Sequence, residues 1–245
     1  MAQEPDLRVA SHADPAALDA DGYLVLPPFL APKECERLVA VVAGLDSNRP
    51  GSRRLLGHPA IAETAARIRA LPQLAGLLPD DAVAVQCTLF AKTRDSNWSV
   101  TPHQDLCIPV DAHVDSPECT AWSRKESTLF VQPPTFVLET LLAVRLQLDD
   151  RAEDAGPLEV VPGSHRLGRL KSPDIVERAS RCKVACAPER GGAVALRPLT
   201  IHASSKSKSP MPRRVLHFLF GPRHLPLGLR WASTPQSDTL PVELR

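Results

Sequence analysis

The segment Thr101-Pro102-His103-Gln104-Asp105 carries an imidazole and a carboxylate two residues apart, directly after a run that reads as a β-strand. On an extended backbone, side chains at i and i+2 leave the same face, so His103 and Asp105 can grip one ion from one side. The best third ligand is His202, in Thr200-Ile201-His202-Ala203-Ser204. Two histidines and one carboxylate on one face suit non-haem Fe(II), with the opposite coordination positions left open for substrates. The same donors also bind zinc, so a zinc hydrolase is a second reading of these three residues.

A cation close by narrows the chemistry. Alternation along Arg213-Arg214-Val215-Leu216-His217-Phe218-Leu219-Phe220 puts Arg213, Val215, His217 and Leu219 on one face and Arg214, Leu216, Phe218 and Phe220 on the other. The second set is the better core face, so Arg213 and His217 should point into the cavity that holds the metal. A guanidinium there suits a carboxylate, which it can hold through two parallel hydrogen bonds.

These residues need strands to carry them. Val83, Val85, Cys87 and Leu89 alternate against Ala84, Gln86, Thr88 and Phe90, which predicts a strand leading through Lys92 to the His103/Asp105 pair. Residues 140–149 predict another, with Leu142, Val144, Leu146 and Leu148 on the apolar layer and Ala143, Arg145 and Gln147 opposite. Polar groups on an inward face need partners, because burying one unpaired costs about 1–3 kcal/mol. Short strands are expected at 183–186 and 193–197, turned by Gly191-Gly192, the second leading into His202. Upstream, residues 13–21 look helical, Tyr23 to Pro27 extended, and a helix begins with Pro32 in its first turn and shows Cys35, Leu38, Val39, Val42 and Leu45 at helical spacing. Residues 60–78 give one or two more helices, broken at Pro72.

The order of motifs resembles the phytanoyl-CoA dioxygenase family of Fe(II)- and 2-oxoglutarate-dependent oxygenases. The resemblance runs from Asp21-Gly22-Tyr23-Leu24-Val25-Leu26-Pro27, through Pro102-His103-Gln104-Asp105 and Gly156-Pro157-Leu158-Glu159-Val160-Val161-Pro162-Gly163-Ser164-His165-Arg166, to His202-Ala203-Ser204 and Arg213. Ala155 stands where the family usually has Asn. The resemblance implies a mainly β fold with flanking helices, a double-stranded β-helix of the jelly-roll, cupin-like kind. It implies Fe(II) on His103, Asp105 and His202, with 2-oxoglutarate as cosubstrate and O2 as oxidant. The far carboxylate of 2-oxoglutarate would rest on Arg213, whose distance from His202 matches the family pattern, with Ser204 and Lys92 as further contacts. Arg145 is kept for the substrate or the second carboxylate, and Gln147 for the cosubstrate. Within the wider group a carboxylate at position 105 argues for hydroxylation or a related oxidation of an unactivated C–H bond, with release of succinate and CO2. His165 is expected to be structural.

The segment from Cys107 to Thr140 contains Pro109, Pro117, Pro133 and Pro134 and shows no clear period. It reads as a structureless, lid-like insertion, on which Trp122, Arg124 and Lys125 are candidates for substrate contact; Trp122 packed on the core is the plainer alternative. The expected domain is 1–245, with a helical part over 1–80 and the jelly-roll over 82–222.

Composition bounds the partners. A net charge of +1 gives no broad field for nucleic acid or an anionic membrane, so a small molecule is expected. No apolar run approaches the roughly 20 residues that span a bilayer, and Met1-Ala2-Gln3-Glu4-Pro5-Asp6 lacks the order of a secretion signal, so a cytoplasmic location is expected. The six cysteines are too scattered for a zinc ribbon and read as reduced structural thiols. A non-catalytic jelly-roll that binds small molecules remains the alternative from another class.

Overall fold

The computed structural model describes residues 15–43, 53, 55–150 and 155–232. The chain opens with helix α1 (Pro15–Asp21), strand β1 (Tyr23–Leu26), helix α2 (Pro32–Ala43), helix α3 (Pro59–Arg69) and a 3-10 turn at Pro72–Leu74. Residues 13 and 14 of the expected first helix, and Leu45 of the second, lie outside the described residues. Strands β2 (Val83–Lys92), β3 (Val100–His103), β4 (Ile108–Val110), β5 (Thr120–Lys125) and β6 (Thr128–Gln132) follow, then helix α4 (Thr135–Glu139), β7 (Leu142–Gln147) and β8 (Leu158–Val160). Helix α5 (Ser172–Arg181), β9 (Val184–Cys186), β10 (Ala193–Leu196), β11 (His202–Ser204) and β12 (Arg213–Gly221) complete the order.

Two sheets make the jelly-roll: a five-stranded one ordered β1-β10-β7-β12-β2 and a four-stranded one ordered β3-β11-β8-β9. All their pairings are antiparallel. The outer face of the large sheet packs on the N-terminal helices. Leu24, Leu146, Leu216, Phe218 and Phe220 meet Leu38, Val42, Ile61 and Ile68 in one buried cluster. Both helices begin with proline, where the missing N–H costs nothing. Their apolar stripes dictate which face of the sheet they cover.

The inner face joins the two sheets through a second cluster that includes Val85, Ala143, Leu158, Val160, Val194 and Leu219. Here β2 departs from strict alternation. In its pairing with β12, Leu219 is opposite Gln86 and Phe220 opposite Ala84, so Val85 is the extra residue of a β-bulge. Val83 and Val85 therefore turn to the inner cluster and Ala84 to the outer one, the reverse of a straight strand. From Gln86 onward the even-numbered residues Gln86, Thr88, Phe90 and Lys92 face the cavity.

The 107–140 segment corrects the expectation of a structureless lid. It forms a third antiparallel sheet, β4-β6-β5, followed by α4. Its prolines sit where they do no harm, Pro133 and Pro134 just before α4 and Pro117 in the turn before β5. Pro109 lies within the three-residue β4 at the margin of this sheet.

Candidate metal centre and cavity

His103 ends β3 and His202 begins β11, and the two are direct cross-strand partners. Antiparallel pairing therefore brings together histidines that are remote in sequence, with ring centroids 4.2 Å apart. Asp105 lies two residues beyond the end of β3, in the loop to β4 rather than on the strand itself. Its backbone N–H donates to Pro198 O at 2.9 Å. The intervening Gln104 is buried and fully engaged: Nε2 donates to Gly168 O (2.8 Å) and Leu199 O (2.7 Å), while Oε1 accepts from Leu170 N (2.9 Å). Sequence reasoning missed this role; a polar residue enclosed by two ligands was the available signal.

Asp105 reaches both imidazoles. His103 Nε2 is 3.6 Å from Oδ1 and His202 Nε2 is 3.5 Å from Oδ2. Each histidine uses its other nitrogen on the carbonyl two residues back, His103 Nδ1 on Thr101 O and His202 Nδ1 on Thr200 O, both at 2.9 Å. Those carbonyls accept, so Nδ1 carries the proton and the Nε2 lone pair is free for a cation. The three ligand atoms lie within 4.8 Å of one another, and among the described residues no other group of three such side chains converges this way. Donor types, tautomers and spacing all fit one divalent ion.

The electrostatics of Asp105 and His202 agree. Burial disfavours the charged form of Asp105, yet His202 and His103 hold its carboxyl well below the usual carboxylate range. Burial pushes His202 down to about 4, against the pull of Asp105, which keeps its imidazole neutral at pH 7. For His103, burial is outweighed by the attraction of the Asp105 carboxylate 3.6 Å away, and its pKa rises, so a proton competes with a cation for Nε2.

The segment Gly163-Ser164-His165 braces His202 from behind. Ser164 Oγ donates to Val161 O (2.7 Å) and accepts from Ile201 N (2.8 Å), while Val161 N donates to Ile201 O (2.9 Å). His165 bonds Asp19 O through Nε2 at 3.1 Å and stays outside the cavity. Gly22, at φ +80°, packs against the same corner, where a Cβ would sit 2.3 Å from His165 Nδ1 and 2.5 Å from Thr200 Oγ1. Only glycine fits there.

The ligands open onto a cavity of about 420 Å³. Its floor is the inner face of the large sheet, where register sets polar groups in rows: Thr88, His217 and Arg145 across one line, Lys92 and Arg213 across another. Lys92 is buried and donates through Nζ to Ser204 Oγ (3.0 Å) and to Ser205 O. Burial, then the neighbouring Arg213 and Arg145, lowers its pKa to about 8. Arg213 is 7% exposed, and its side chain makes no hydrogen bond or ion pair among the described residues. Burial and then Arg145 lower its pKa to about 10, so it stays charged at pH 7. Arg145 donates through Nη1 to His217 Nδ1 at 3.0 Å and stacks over Phe90, 5.2 Å from the ring centre. Burial and that guanidinium push His217 down to about 3.

Three other candidates lie elsewhere. Gln147 bonds Asp149 O (3.1 Å) and lines a small side pocket beyond Arg213 rather than the main cavity. Trp122 donates to Cys119 O (3.1 Å) and stacks on His113, and Arg124 is exposed with its bond to Ser127 O, so neither reaches the cavity. Lys125 does line it, as do Trp98 and Phe130. At the mouth Glu126, on the β5–β6 turn, accepts from both the backbone and the guanidinium of Arg53 at 3.0 Å.

Similarity to known proteins matches this geometry. The arrangement defines a jelly-roll of the kind found in 2-oxoglutarate oxygenases, seen in EctD from S. alaskensis in its apoform (20% identity, 95% of this chain and 89% of that one, TM-score 0.65). HygX from Streptomyces hygroscopicus with nickel and 2-oxoglutarate bound is also similar (16%, 84% and 84%, TM-score 0.58). So is SnoN, the non-haem α-ketoglutarate-dependent epimerase of nogalamycin biosynthesis (19%, 94% and 89%, TM-score 0.58). No curated protein sequence matches the chain. The phytanoyl-CoA dioxygenase (PhyH) family profile matches residues 18–215, and the chain belongs to that family. No helix among the described residues is long and apolar enough to cross a membrane.

Proposed function

We propose that this protein is an Fe(II)- and 2-oxoglutarate-dependent dioxygenase that hydroxylates, or otherwise oxidises, an unactivated C–H bond of a small molecule. The observation that carries this reading is the convergence of His103, Asp105 and His202 within 4.8 Å beside a buried Arg213 that lacks an anion. His103, Asp105 and His202 would hold the iron through two neutral imidazoles and one carboxylate, leaving about three octahedral positions for exchangeable ligands. When bound, the iron with 2-oxoglutarate and O2 supplies the oxidising power, and the keto acid leaves as succinate and CO2.

The chain's own residues bind and orient. Arg213 and Lys92, cross-strand neighbours at one end of the cavity, hold the far carboxylate of 2-oxoglutarate, and Ser204 fixes Lys92 in that position. A cation desolvated in advance and aimed at a carboxylate binds it without further reorganisation, which is how such a site favours a charged ligand over water. Phe90, Trp98 and Phe130 on the walls exclude water from the reacting region.

The test is metal and cosubstrate binding without oxygen. The protein should retain one Fe(II), and 2-oxoglutarate should bind it by calorimetry with an affinity that depends on the metal; succinate should appear on adding O2. A jelly-roll binding module would retain no metal. A zinc hydrolase would keep zinc and ignore 2-oxoglutarate.

A further inference from the structure

We propose that the prime substrate is a small carboxylic acid with an apolar body, its carboxylate held by Arg145 and its body lying against the leucine-lined end of the same cavity. This rests on the oxygenase reading and specifies the substrate of that same site.

Three observations lead there. The first is charge. Of the cations lining the cavity, Arg53 is matched by Glu126, while Lys92, Lys125, Arg145 and Arg213 have no carboxylate within ion-pair distance among the described residues, and Asp105 is the only carboxylate in the lining. The charges of Fe(II) and 2-oxoglutarate cancel each other. Lys125 is exposed to solvent, so three enclosed cations, Lys92, Arg145 and Arg213, then face one carboxylate, an excess that a neutral substrate would leave in place and a carboxylate would relieve.

The second is separation. Arg145 is the cross-strand partner of His217, four residues along β12 from Arg213, or about 13 Å of strand at 3.3 Å per residue. A five-carbon diacid is shorter than the roughly 7.6 Å that two peptide units span. The two guanidiniums thus rise from backbone positions farther apart than 2-oxoglutarate is long, and with its far carboxylate on Arg213 we assign Arg145 to a different molecule. Arg145 is also preset: its bond to His217 Nδ1 uses one of five N–H donors, and its guanidinium carbon lies over the Phe90 ring, 5.2 Å from the centre. The remaining donors are free for a carboxylate.

The third is the surface beyond Arg145. Moving along the strands away from Arg213, the floor changes from His217 to Leu219 and from Arg145 to Ala143. Leu138, Leu141, Ile108 and Phe130 continue that lining. A cation bordered by a mainly apolar wall, with Gln86 opposite Leu219 as its polar exception, recognises an acid with a largely apolar body, and about 420 Å³ shared with 2-oxoglutarate limits that body to a short chain or one ring.

The experiment uses the full chain loaded with Fe(II) and 2-oxoglutarate in the absence of oxygen. Hexanoate, octanoate and 3-phenylpropanoate are titrated in by calorimetry against their methyl esters. At least one acid should bind, and its ester should bind at least tenfold more weakly. Arg145→Gln should weaken that acid at least tenfold while changing 2-oxoglutarate affinity less than threefold, and Arg213→Gln should do the reverse. Arg145→Lys, which keeps the charge, should restore part of the acid affinity, and a thermal melt confirms that each variant folds. Should Arg145→Gln not fold, the acid–ester contrast and Arg145→Lys decide. Esters binding as well as acids, no acid binding at all, or Arg145→Gln weakening 2-oxoglutarate as much as Arg213→Gln would each overturn the proposal. Failure of 2-oxoglutarate to bind the unaltered protein would instead overturn the oxygenase reading.

Discussion

The two sheets contribute to the cavity in different ways. The four-stranded sheet supplies metal ligands from strands of three or four residues, too short to fix side chains by ladder bonds alone. It is held by side chain to backbone bonds: Gln104 spans three segments, Ser164 holds Ile201, and the Thr101 and Thr200 carbonyls orient the imidazoles. The five-stranded sheet supplies Lys92 and Arg213 from β2 and β12, ten and nine residues long, and Arg145 from β7 between its neighbours, backed by the larger apolar cluster. A long strand with one face buried has no freedom to slip, because a one-residue shift would exchange its core and cavity faces. Metal affinity should therefore depend on polar bracing, and carboxylate binding on strand register.

That division can be broken at either sheet. The largest effect is expected at the ligands: Asp105→Ala or His202→Ala should lower iron affinity by more than the roughly 10–100-fold that losing an outer-shell partner brings. Metal content after dialysis against a chelator checks this, and full retention by Asp105→Ala would remove the metal centre from the account.

On the other sheet, Arg213→Met should cost 2-oxoglutarate affinity about 10–100-fold, the loss of a charge-assisted pair, while iron affinity stays unchanged. The same variant should melt no lower than the parent without ligand, because it replaces a buried, unpaired cation with apolar volume. A lower melting temperature would show that Arg213 is structural.

Gln104→Ala leaves Leu170 N–H without its acceptor and should lower stability by about 1–3 kcal/mol, with a smaller loss of iron affinity, measured by denaturant unfolding and metal titration. Unchanged iron affinity would separate the brace from the ligands.

The smallest effect is a pH dependence. With the Lys92 pKa held at about 8 by burial and by Arg213 and Arg145, its ammonium is present below that pH and lost above it. Affinity for 2-oxoglutarate should therefore decline a few-fold as pH rises through 8, and binding in that range should take up a proton. Lys92→Arg should flatten the profile; a dependence that survives in Lys92→Arg would assign it to another group.

Much of this was legible from the chain. The two-residue period of 213–220 separates a face of Arg213 and His217 from one of Leu216, Phe218 and Phe220, because only the second can pack against helices. The helix that begins at Pro32 carried its own start signal. The hidden features all depend on partners. The bulge at Val85 exists only against β12, and nothing local marks it. Strands of three to six residues with proline among and beside them show no period, so the sheet within 107–140 has no legible signature, and of the candidates for substrate contact on it Trp122 and Arg124 do not line the cavity.

By itself the sequence determined which side chains could do chemistry: two imidazoles, a carboxylate and a set of guanidinium and ammonium groups at strand spacing. Only the tertiary structure decided that His103 and His202 lie opposite each other and that Arg145 stands apart from Arg213 on the same floor. Side-chain type and local period are properties of neighbouring residues, whereas register between distant strands follows from the packing of both sheets together.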